Sequence, residues 1–432
     1  MTAERHPTRL GPLPRDWGVV PLGSVVRRVG DPVTISPNEL YREIGIRSHG
    51  KGIFHKEPVT GESLGSKRVF SVVPESLVFN IVFAWEGAVA VTSKDEAGMI
   101  GSHRFPMFMP SEPQAVDVEF LRRFFQTKLG IQLLGDASPG GAGRNRTLSQ
   151  KATAETPIPL PPLPEQRKIA AILSSVDEAI AGTQAVIDQL QVVKKAMMAD
   201  LLTRGIPGRH KKFKKSEIGE MPDSWKISAL GEVSEVFNGR AAGTGGTWLR
   251  VFKTKHVYDG FLRLTIPEFA RDDSATRVPQ ECYLREGDVL TPNMAHGTIG
   301  RVAFVDAVEP RWTVDGQVMV LRATAEVICG RFLFEFMSAH QGRNQLLGLE
   351  KGGAFDTLRG QTHIYPRDVR TLRIPVPSLE EQQTICESAA SFDAPILVGR
   401  ERLASLNEIR RGLMDLLLTG EVRVRVDEES AA

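Results

Sequence analysis

The chain has 432 residues, of which 41% are hydrophobic and 25% charged, and its formal net charge is +2 at pH 7. That length suits two to four domains, and the mix excludes a disordered or collagen-like chain. A charge so near zero neither requires nor excludes a nucleic-acid partner.

The first ten residues, MTAERHPTRL, hold no apolar signal core. No run of about eighteen apolar residues follows, so no membrane span is expected. Residues 1–157 are rich in Gly, Pro and short β-branched runs. Val73–Trp85 (VPESLVFNIVFAW) reads as strand bounded by turns, and Asp117–Leu134 is predicted helical. We read this stretch as a mixed α/β domain.

Residues 158–205 change character. IPLPPLP is an extended, polyproline-like lead-in. Pro164 fits the first turn of a helix and Glu165 lies near its positive end. A Gly-poor, apolar-periodic run follows and reads as one long helix. The segment is a stiff joint; a proline-rich ligand for another protein is the alternative. Residues 206–218, with HKKFKK at His210–Lys215, read as a basic linker, or as a phosphate-binding run. Residues 219–373 form a second α/β domain, with strand at Arg285–Pro292 and helix at Gly330–Leu347. Residues 374–420 are a second long helix behind a second proline lead-in, and 421–432 a tail. Cys282, Cys329 and Cys386 form no CxxC or Cys/His cluster, so a cytoplasmic protein with free thiols is expected.

The chain is written twice. IPLPPLPEQRKIAA at Ile158–Ala171 returns as IPVPSLEEQQTICE at Ile374–Glu387. GPLPRDWGVVPLGSVV at Gly11–Val26 returns as GEMPDSWKISALGEVS at Gly219–Ser234, so Pro14, Trp17 and Leu22-Gly23 match Pro222, Trp225 and Leu230-Gly231. The middles have diverged. Shared ends with different middles imply one scaffold holding two different surfaces.

The long helices carry matching seams. Ile169, Leu173, Val176, Ile180, Ile187, Leu190, Met197 and Leu201 fall at alternating steps of four and three, with Thr183 and Lys194 as polar interruptions. Ile385, Ala389, Phe392, Ile396, Leu403, Leu406, Leu413 and Leu417 repeat the pattern, interrupted by Gly399 and Arg410. This is coiled-coil spacing, and connectivity makes the pair antiparallel. The predicted fold class is α+β: two mixed α/β domains joined by two long antiparallel helices, an internal pseudo-two-fold repeat. The stretch Ile169–Leu201 spans about 50 Å at 1.5 Å per residue, a dumbbell-like spacer scaled to separated half-sites on a duplex. Pro395 falls inside the second helix, where a kink or late start is expected.

The run Pro159–Asp177 (PLPPLPEQRKIAAILSSVD) and the P-x-x-W-x-x-x-x-L-G lead-ins at Pro14–Gly23 and Pro222–Gly231 closely resemble the signature of the specificity (S) subunit of type I restriction–modification systems. The resemblance covers essentially the whole chain. It implies two target-recognition domains, each followed by a spacer helix and each reading one half of a bipartite, asymmetric DNA target. It also implies a non-catalytic subunit that binds double-stranded DNA, two adenine-N6 methyltransferase (M) subunits and the restriction (R) subunits. S-adenosylmethionine, ATP and magnesium would then sit on those partners. The second copy departs at Glu380, Gln383 and Cys386, which implies a weaker joint there.

The residues agree that catalysis lies elsewhere. No Asn/Asp-Pro-Pro-aromatic methylation motif, glycine-rich cofactor loop, GxxxxGK[ST] or HExxH occurs. Asp272-Asp273 lacks the lysine of a nuclease site and reads as a solvated turn. DNA contact is expected from basic and amide side chains on glycine-bearing loops, to phosphates more often than to bases. In the first domain these are Arg47, His49, Lys51, Lys67, Arg68, Arg144, Asn145 and Arg146. In the second they are Lys253, Lys255, His256, Asn293, His296, Lys351, Arg359, Gln361 and His363. The competing class is a structural adaptor whose two heads bind protein. Salt dependence separates the two classes.

Overall fold

The computed structural model describes residues 5–140, 146–241, 243–263, 267–294, 297–352, 354–356 and 361–425, and of those between 350 and 362 only the backbone. The chain forms two compact units. Unit 1 takes residues 1–183 and 401–432; unit 2 takes 184–400. Each contains one α/β head, the start of the long helix that follows it, and the end of the other long helix. The helices are Leu163–Arg204 and Leu379–Leu418.

Each head is built on a four-stranded antiparallel sheet. In unit 1 the spatial order is Val26–Val29, Met107–Pro110, Leu77–Phe79, Val89–Val91. In unit 2 it is Ser234–Asn238, Val318–Ala323, Val289–Pro292, Ala303–Phe304. The diverged middles therefore keep one topology, with the first strand at an edge beside the last. They differ in what is inserted after that first strand. Unit 1 inserts the antiparallel pairs Leu40–Tyr41 with Val59–Thr60 and Ile44–Ile46 with Ile53–His55. Unit 2 instead has a parallel pair, Arg250–Phe252 with Trp312–Val314.

Two predicted helices are each broken in two. Asp117–Leu134 is Val118–Phe125 followed by Lys128–Asp136, because Thr127 leaves helical geometry to cap the second piece, its Oγ accepting the Gly130 N–H at 3.0 Å. Gly330–Leu347 is Gly330–Ser338 followed by His340–Gly352, broken at Ala339. The proline lead-ins are strands, not free polyproline segments. Pro157–Leu160 pairs with Gly18–Pro21, and Arg373–Val376 with Lys226–Ala229. The basic linker is likewise part strand: Phe213–Ser216 forms a hairpin with Gly219–Pro222, the counterpart of Arg5–Thr8 with Gly11–Pro14. The second helix runs through Pro395, which faces solvent.

One joint is repeated in both units. In unit 1 the Trp17 indole Nε1–H donates to Glu165 Oε2 at 3.0 Å; in unit 2 Trp225 Nε1–H donates to Glu381 Oε2 at 3.0 Å. Both glutamates are 2% exposed. The next residue is a latch. Gln166 donates to Pro161 O at 2.8 Å and accepts the Asp117 N–H at 2.9 Å. Gln382 donates to Pro377 O at 3.0 Å and accepts the Cys329 N–H at 2.9 Å. The Glu-Gln pair thus ties lead-in, helix and head together. The substitutions at Glu380 and Gln383 leave these bonds intact, so the second joint is not weakened at them.

A buried carboxylate needs a counter-charge. Glu165 receives Arg423, whose Nε lies 2.6 Å from Oε1. Arg423 also forks onto Asp16 at 2.8 and 2.7 Å, so Val422 and Arg423 belong to unit 1 and are no free tail. Glu381 is hydrogen-bonded to His210 Nε2 at 2.6 Å and faces the Arg209 guanidinium at 4.0 Å. The glycines that end the helices allow these approaches. Gly205 (φ 72°) and Gly420 (φ 65°) are left-handed, and a Cβ would meet Glu381 Oε1 at 2.7 Å or Pro14 at 2.5 Å.

The seams pack within each unit. In unit 1, Ile169 and Leu173 share a core with Leu417, Met414, Trp17 and Phe120. In unit 2, Leu201 and Met198 share one with Ile385, Ala389 and Trp225. Rising numbers on one helix meet falling numbers on the other, so the segments are antiparallel. Ile187 and Ile396 are buried, while Val176, Ile180, Leu190, Phe392, Leu403, Leu406 and Leu413 are half-buried. At the far ends burial moves one residue on. Met198 rather than Met197 is buried, and Leu202, Met414 and Leu418 join it, because the helix there also packs on a head.

The charged interruptions of the seams have matching partners. Arg410 Nε lies 2.8 Å from Asp177 Oδ1, and Arg123 of the Val118–Phe125 helix pairs with the same carboxylate. Lys194 Nζ lies 2.7 Å from Asp393 Oδ1, and Arg331 pairs with Asp393. Each aspartate therefore holds a cation from the head and one from the opposing helix. The two clasps differ in reserve. Arg331 also reaches Glu335 at 2.7 Å, whereas Arg123, 1% exposed, has among the described residues only Ser174 Oγ at 3.2 Å as a hydrogen-bond partner besides Asp177. Asp177→Asn is expected to destabilise the full-length chain by about 2–4 kcal/mol, the partly exposed carboxylate trimming the figure typical of a broken buried pair. Asp393→Asn should cost about 1 kcal/mol. Urea denaturation of the two variants checks this; equal losses would refute the assignment of reserve.

Candidate nucleic-acid interface

In unit 1 the loop Arg47–Gly52 carries three left-handed residues, His49 (φ 60°), Gly50 (φ 66°) and Gly52 (φ 74°). It is pinned to the turn at Ala84–Gly87: His49 N–H donates to Glu86 O at 2.8 Å, Gly50 N–H to Gly87 O at 3.0 Å, and Ser48 Oγ–H to Glu86 Oε2 at 2.9 Å. Left-handed φ at a non-glycine residue costs energy, and these bonds hold it. Arg47 lies over the Phe54 ring, 4.9 Å from its centroid. Arg146 lies over Trp85 of the same turn at 5.6 Å, beside an open depression of about 470 Å³. Arg47, His49, Lys51 and Arg146 are all exposed. The turn thus gathers four of the sequence candidates.

Lys67 is elsewhere and engaged. Its Nζ lies 3.4 Å from Glu43 Oε2, which Lys56 also approaches at 3.2 Å. These lysines neutralise a buried carboxylate. Arg68 is exposed beside them.

Unit 2 corrects more. His256 is buried, and its Nδ1 accepts the Lys253 backbone N–H at 2.9 Å, closing the Thr254–His256 turn. Asn293 is 2% exposed, its amide donating to Asn238 Oδ1 at 2.9 Å and Gly316 O at 2.8 Å. Both are internal ties and leave the candidate set. Lys253 Nζ lies 3.2 Å from Glu268, and Lys255 pairs with the same carboxylate. The Lys255 hydrogen bond holds the Glu268 carboxyl below its ordinary range. His363 is half-buried with its ring near-parallel to Tyr365. Arg144, Asn145, His296 and Arg359 lie outside the described residues, and Lys351 and Gln361 are described by backbone alone. Asp272-Asp273 opens a helical turn in which Asp273 binds Arg271 at 2.9 Å.

One cationic feature escaped sequence reasoning. Arg263 lies 4.3 Å over Tyr258, which stacks on the exposed Phe261 with centroids 5.3 Å apart. The run YDGFLR carried the signal: a tight Asp-Gly turn flanked by aromatics at Tyr258 and Phe261, with Arg263 two residues on.

Two heads of one topology with different cationic loops, each seated on a duplicated Trp–Glu joint, define a tandem-repeat scaffold rather than an enzyme cleft. The chain belongs to the type I restriction modification DNA specificity domain family, whose model matches residues 14–192 and again 222–408. It is 27% identical over 98% of its length to the type I restriction enzyme MjaVIII specificity subunit of Methanocaldococcus jannaschii, covering 96% of that protein. It is 23% identical over 70% of its length to the EcoBI specificity subunit of Escherichia coli, covering 66% of that protein. The fold matches the crystal structure of a type I restriction-modification S subunit from M. genitalium (TM-score 0.59, 13% identity, 93% of this chain and 96% of that one). It also matches a chain from a study of complex assembly and conformational transition in a type I system (TM-score 0.51, 18% identity, 95% and 99%). The chain is thus a specificity subunit, the non-catalytic member that gives such a complex its DNA specificity. Among the described residues no helix is long and apolar enough to cross a membrane, and no group of three or more His, Cys, Asp or Glu side chains is placed to hold a metal ion.

Burial holds the His256 imidazole below its ordinary pKa, against the opposing pull of Glu268. The neutral ring is the form that accepts the Lys253 N–H. A depressed histidine contributes stability in full above its unfolded pKa of about 6.5, and that contribution is lost as pH falls towards the folded value. We expect unfolding of the chain to become easier from about pH 6.5 downwards, and His256→Asn, whose Oδ1 can accept the same bond, to flatten that slope. Denaturant midpoints at a series of pH values check it; an unchanged slope in the variant would refute the role of His256.

Proposed function

We propose that each head of this specificity subunit reads one half of a bipartite, asymmetric double-stranded DNA target. The observation that supports this is the pairing of near-identical joints with unlike inserts: frame and clasp repeat, while the cationic loops do not. Two M subunits and the R subunits assemble on this chain, in the cytoplasm. They bring S-adenosylmethionine, ATP and magnesium, so methyl transfer and cleavage occur on the partners. The test is exchange of residues 25–148 for the corresponding segment of another family member, keeping Trp17, Glu165 and Gln166. Mapping methylated adenines in host DNA should show one half-site changed and the other retained. Change in both would refute one head per half-site.

Within unit 1, the Arg47–Gly52 loop and Arg146 contact the duplex, and phosphates take most of the bonds. Replacing Arg47, Lys51 and Arg146 by Ala in the assembled methyltransferase should weaken binding. It should also flatten the log–log salt dependence by about 0.9 for each phosphate no longer neutralised. Lys253→Ala with Lys255→Ala should flatten it less, because Glu268 already neutralises those cations. Equal flattening in both variants would count against this assignment. A steep salt slope in the parent complex excludes the adaptor reading.

A further inference from the structure

The two units also differ where the joint meets the capped helix of the head. In unit 1 Asp117 precedes the Val118–Phe125 helix. Its N–H donates to Gln166, and its Oδ1 accepts the Phe120 N–H at 2.8 Å. Four residues beyond Gln166 on the long helix is Ala170, buried. In unit 2 Cys329 holds Asp117's place: its N–H donates to Gln382, and its Sγ accepts the Phe332 N–H at 3.2 Å. Four residues beyond Gln382 is Cys386, whose Sγ lies 3.6 Å from that of Cys329. Both cysteines pack against the core of unit 2, a role that does not require sulfur at either position. Aspartate is the better helix cap, and alanine already suits the helix contact. Two separate substitutions, far apart in sequence, have placed sulfur against sulfur.

We infer that Cys329 and Cys386 form an oxidative modification site, a dithiol that reduces a hydroperoxide and closes to a disulfide between the second recognition domain and its spacer helix.

Geometry divides the roles. Cys329 sits at the N-terminus of a nine-residue helix, receives a backbone N–H, and lies within reach of the Cys386 thiol hydrogen. All of these favour its thiolate. The Cys386 hydrogen bond, aided by the Phe332 and Arg331 N–H groups and the Arg331 charge, pulls the Cys329 thiol down to about 6 against the effect of burial. Sharing its hydrogen with Cys329, with burial added, pushes Cys386 up. Cys329 is therefore the nucleophile and Cys386 the resolving thiol. Both are half-buried, open to a small oxidant. Cys282 is buried, its thiol raised by burial, and serves as an internal control.

The reaction balances with hydrogen peroxide as oxidant. The Cys329 thiolate attacks one peroxide oxygen; an S–O bond forms, the O–O bond breaks, and hydroxide leaves and is protonated to water. Cys386 then gives up its proton and attacks the sulfenic sulfur. The S–S bond forms at about 2.05 Å, the S–O bond breaks, and a second water leaves. Two electrons pass from the thiols to the peroxide, and a dithiol reductant reverses the change.

The test uses the reduced full-length chain, exposed to hydrogen peroxide, quenched with N-ethylmaleimide, digested and analysed by mass spectrometry. The expected product is a Cys329–Cys386 linked peptide, reversed by dithiothreitol, with Cys282 still maleimide-labelled. Its rate of formation should reach half-maximum at a pH below the ordinary thiol value of about 8.5. The oxidised chain should unfold about 5 °C higher. Cys386→Ala should leave a sulfenic acid on Cys329 that dimedone traps. The double variant Cys329→Asp with Cys386→Ala restores the first unit's pair; it should fold and lose both the link and the shift. Maleimide labelling of Cys329 and Cys386 undiminished by peroxide, or links between chains only, would overturn the proposal.

Discussion

A carboxylate buried beneath a tryptophan is the constraint on which the rest depends. Glu165 and Glu381 are almost wholly removed from water, so each must be hydrogen-bonded and neutralised where it lies. The indole N–H satisfies one oxygen, which fixes the chain near Trp17 or Trp225 against the first turn of the long helix. The facing partner comes from beyond the end of the other long helix in unit 1, Arg423, and from beyond the end of the first long helix in unit 2, His210 with Arg209 at 4.0 Å. A single acid therefore brings three segments together in each unit: the head's lead-in, the start of one helix and the turn that ends the other. The glycines at 205 and 420 follow from this, since a side chain there would occupy the space the joint uses.

The Asp177 and Asp393 clasps act one level out. A seam of apolar residues alone specifies pairing weakly, because sliding by a heptad buries nearly the same surface. A charge inside the seam that finds its partner in one register only removes that freedom. Arg410 meets Asp177, and Lys194 meets Asp393, at equivalent places. Since Arg123 and Arg331 bind the same carboxylates, helix register and head position are set together. The head cations come from different turns of their helices, 123 in one and 331 in the other, so the repeat conserves the contact rather than the position. What reads as a defect in each seam is the element that fixes it.

This division explains what was legible in the sequence. The repeat, the two long helices and the seams were visible because they rest on periodicity and on residues that must recur. The joint's meaning was half visible: Trp17 and Glu165 each stand in a repeated motif, but nothing along the chain says that residues 148 apart share a hydrogen bond. Local strand pairing overrode the composition of HKKFKK, where Phe213–Ser216 forms a hairpin strand despite three lysines in the run Lys212–Lys215. The DNA candidates suffered most. A histidine or asparagine on a glycine-bearing turn looks the same in sequence whether it points outward or caps the turn from within, as His256 and Asn293 do. Lysines such as Lys67 and Lys253 look free until the carboxylate they neutralise is located across the fold.

The heads could diverge because the joint takes so little from them. Within each head the frame needs the edge strand after the Trp motif, the sheet it joins, and one capped helix that presents a cation to the clasp. The segment between the first strand and the rest of the sheet packs on the sheet through apolar side chains, Ile44 and Ile46 in one head and Phe252 in the other, and there the units part: antiparallel hairpins in one, and in the other a strand that later takes a parallel partner. An insertion in that region leaves Glu165, Glu381, the glutamine latches and the seams in place. Loop replacement is tolerated best where the backbone bonds of the frame are left paired. The same reasoning isolates the Cys329–Cys386 pair. It lies inside the joint, beside the Trp–Glu and Gln bonds that the two units share, so a sulfur pair there is a change made within the most closely repeated part of the fold.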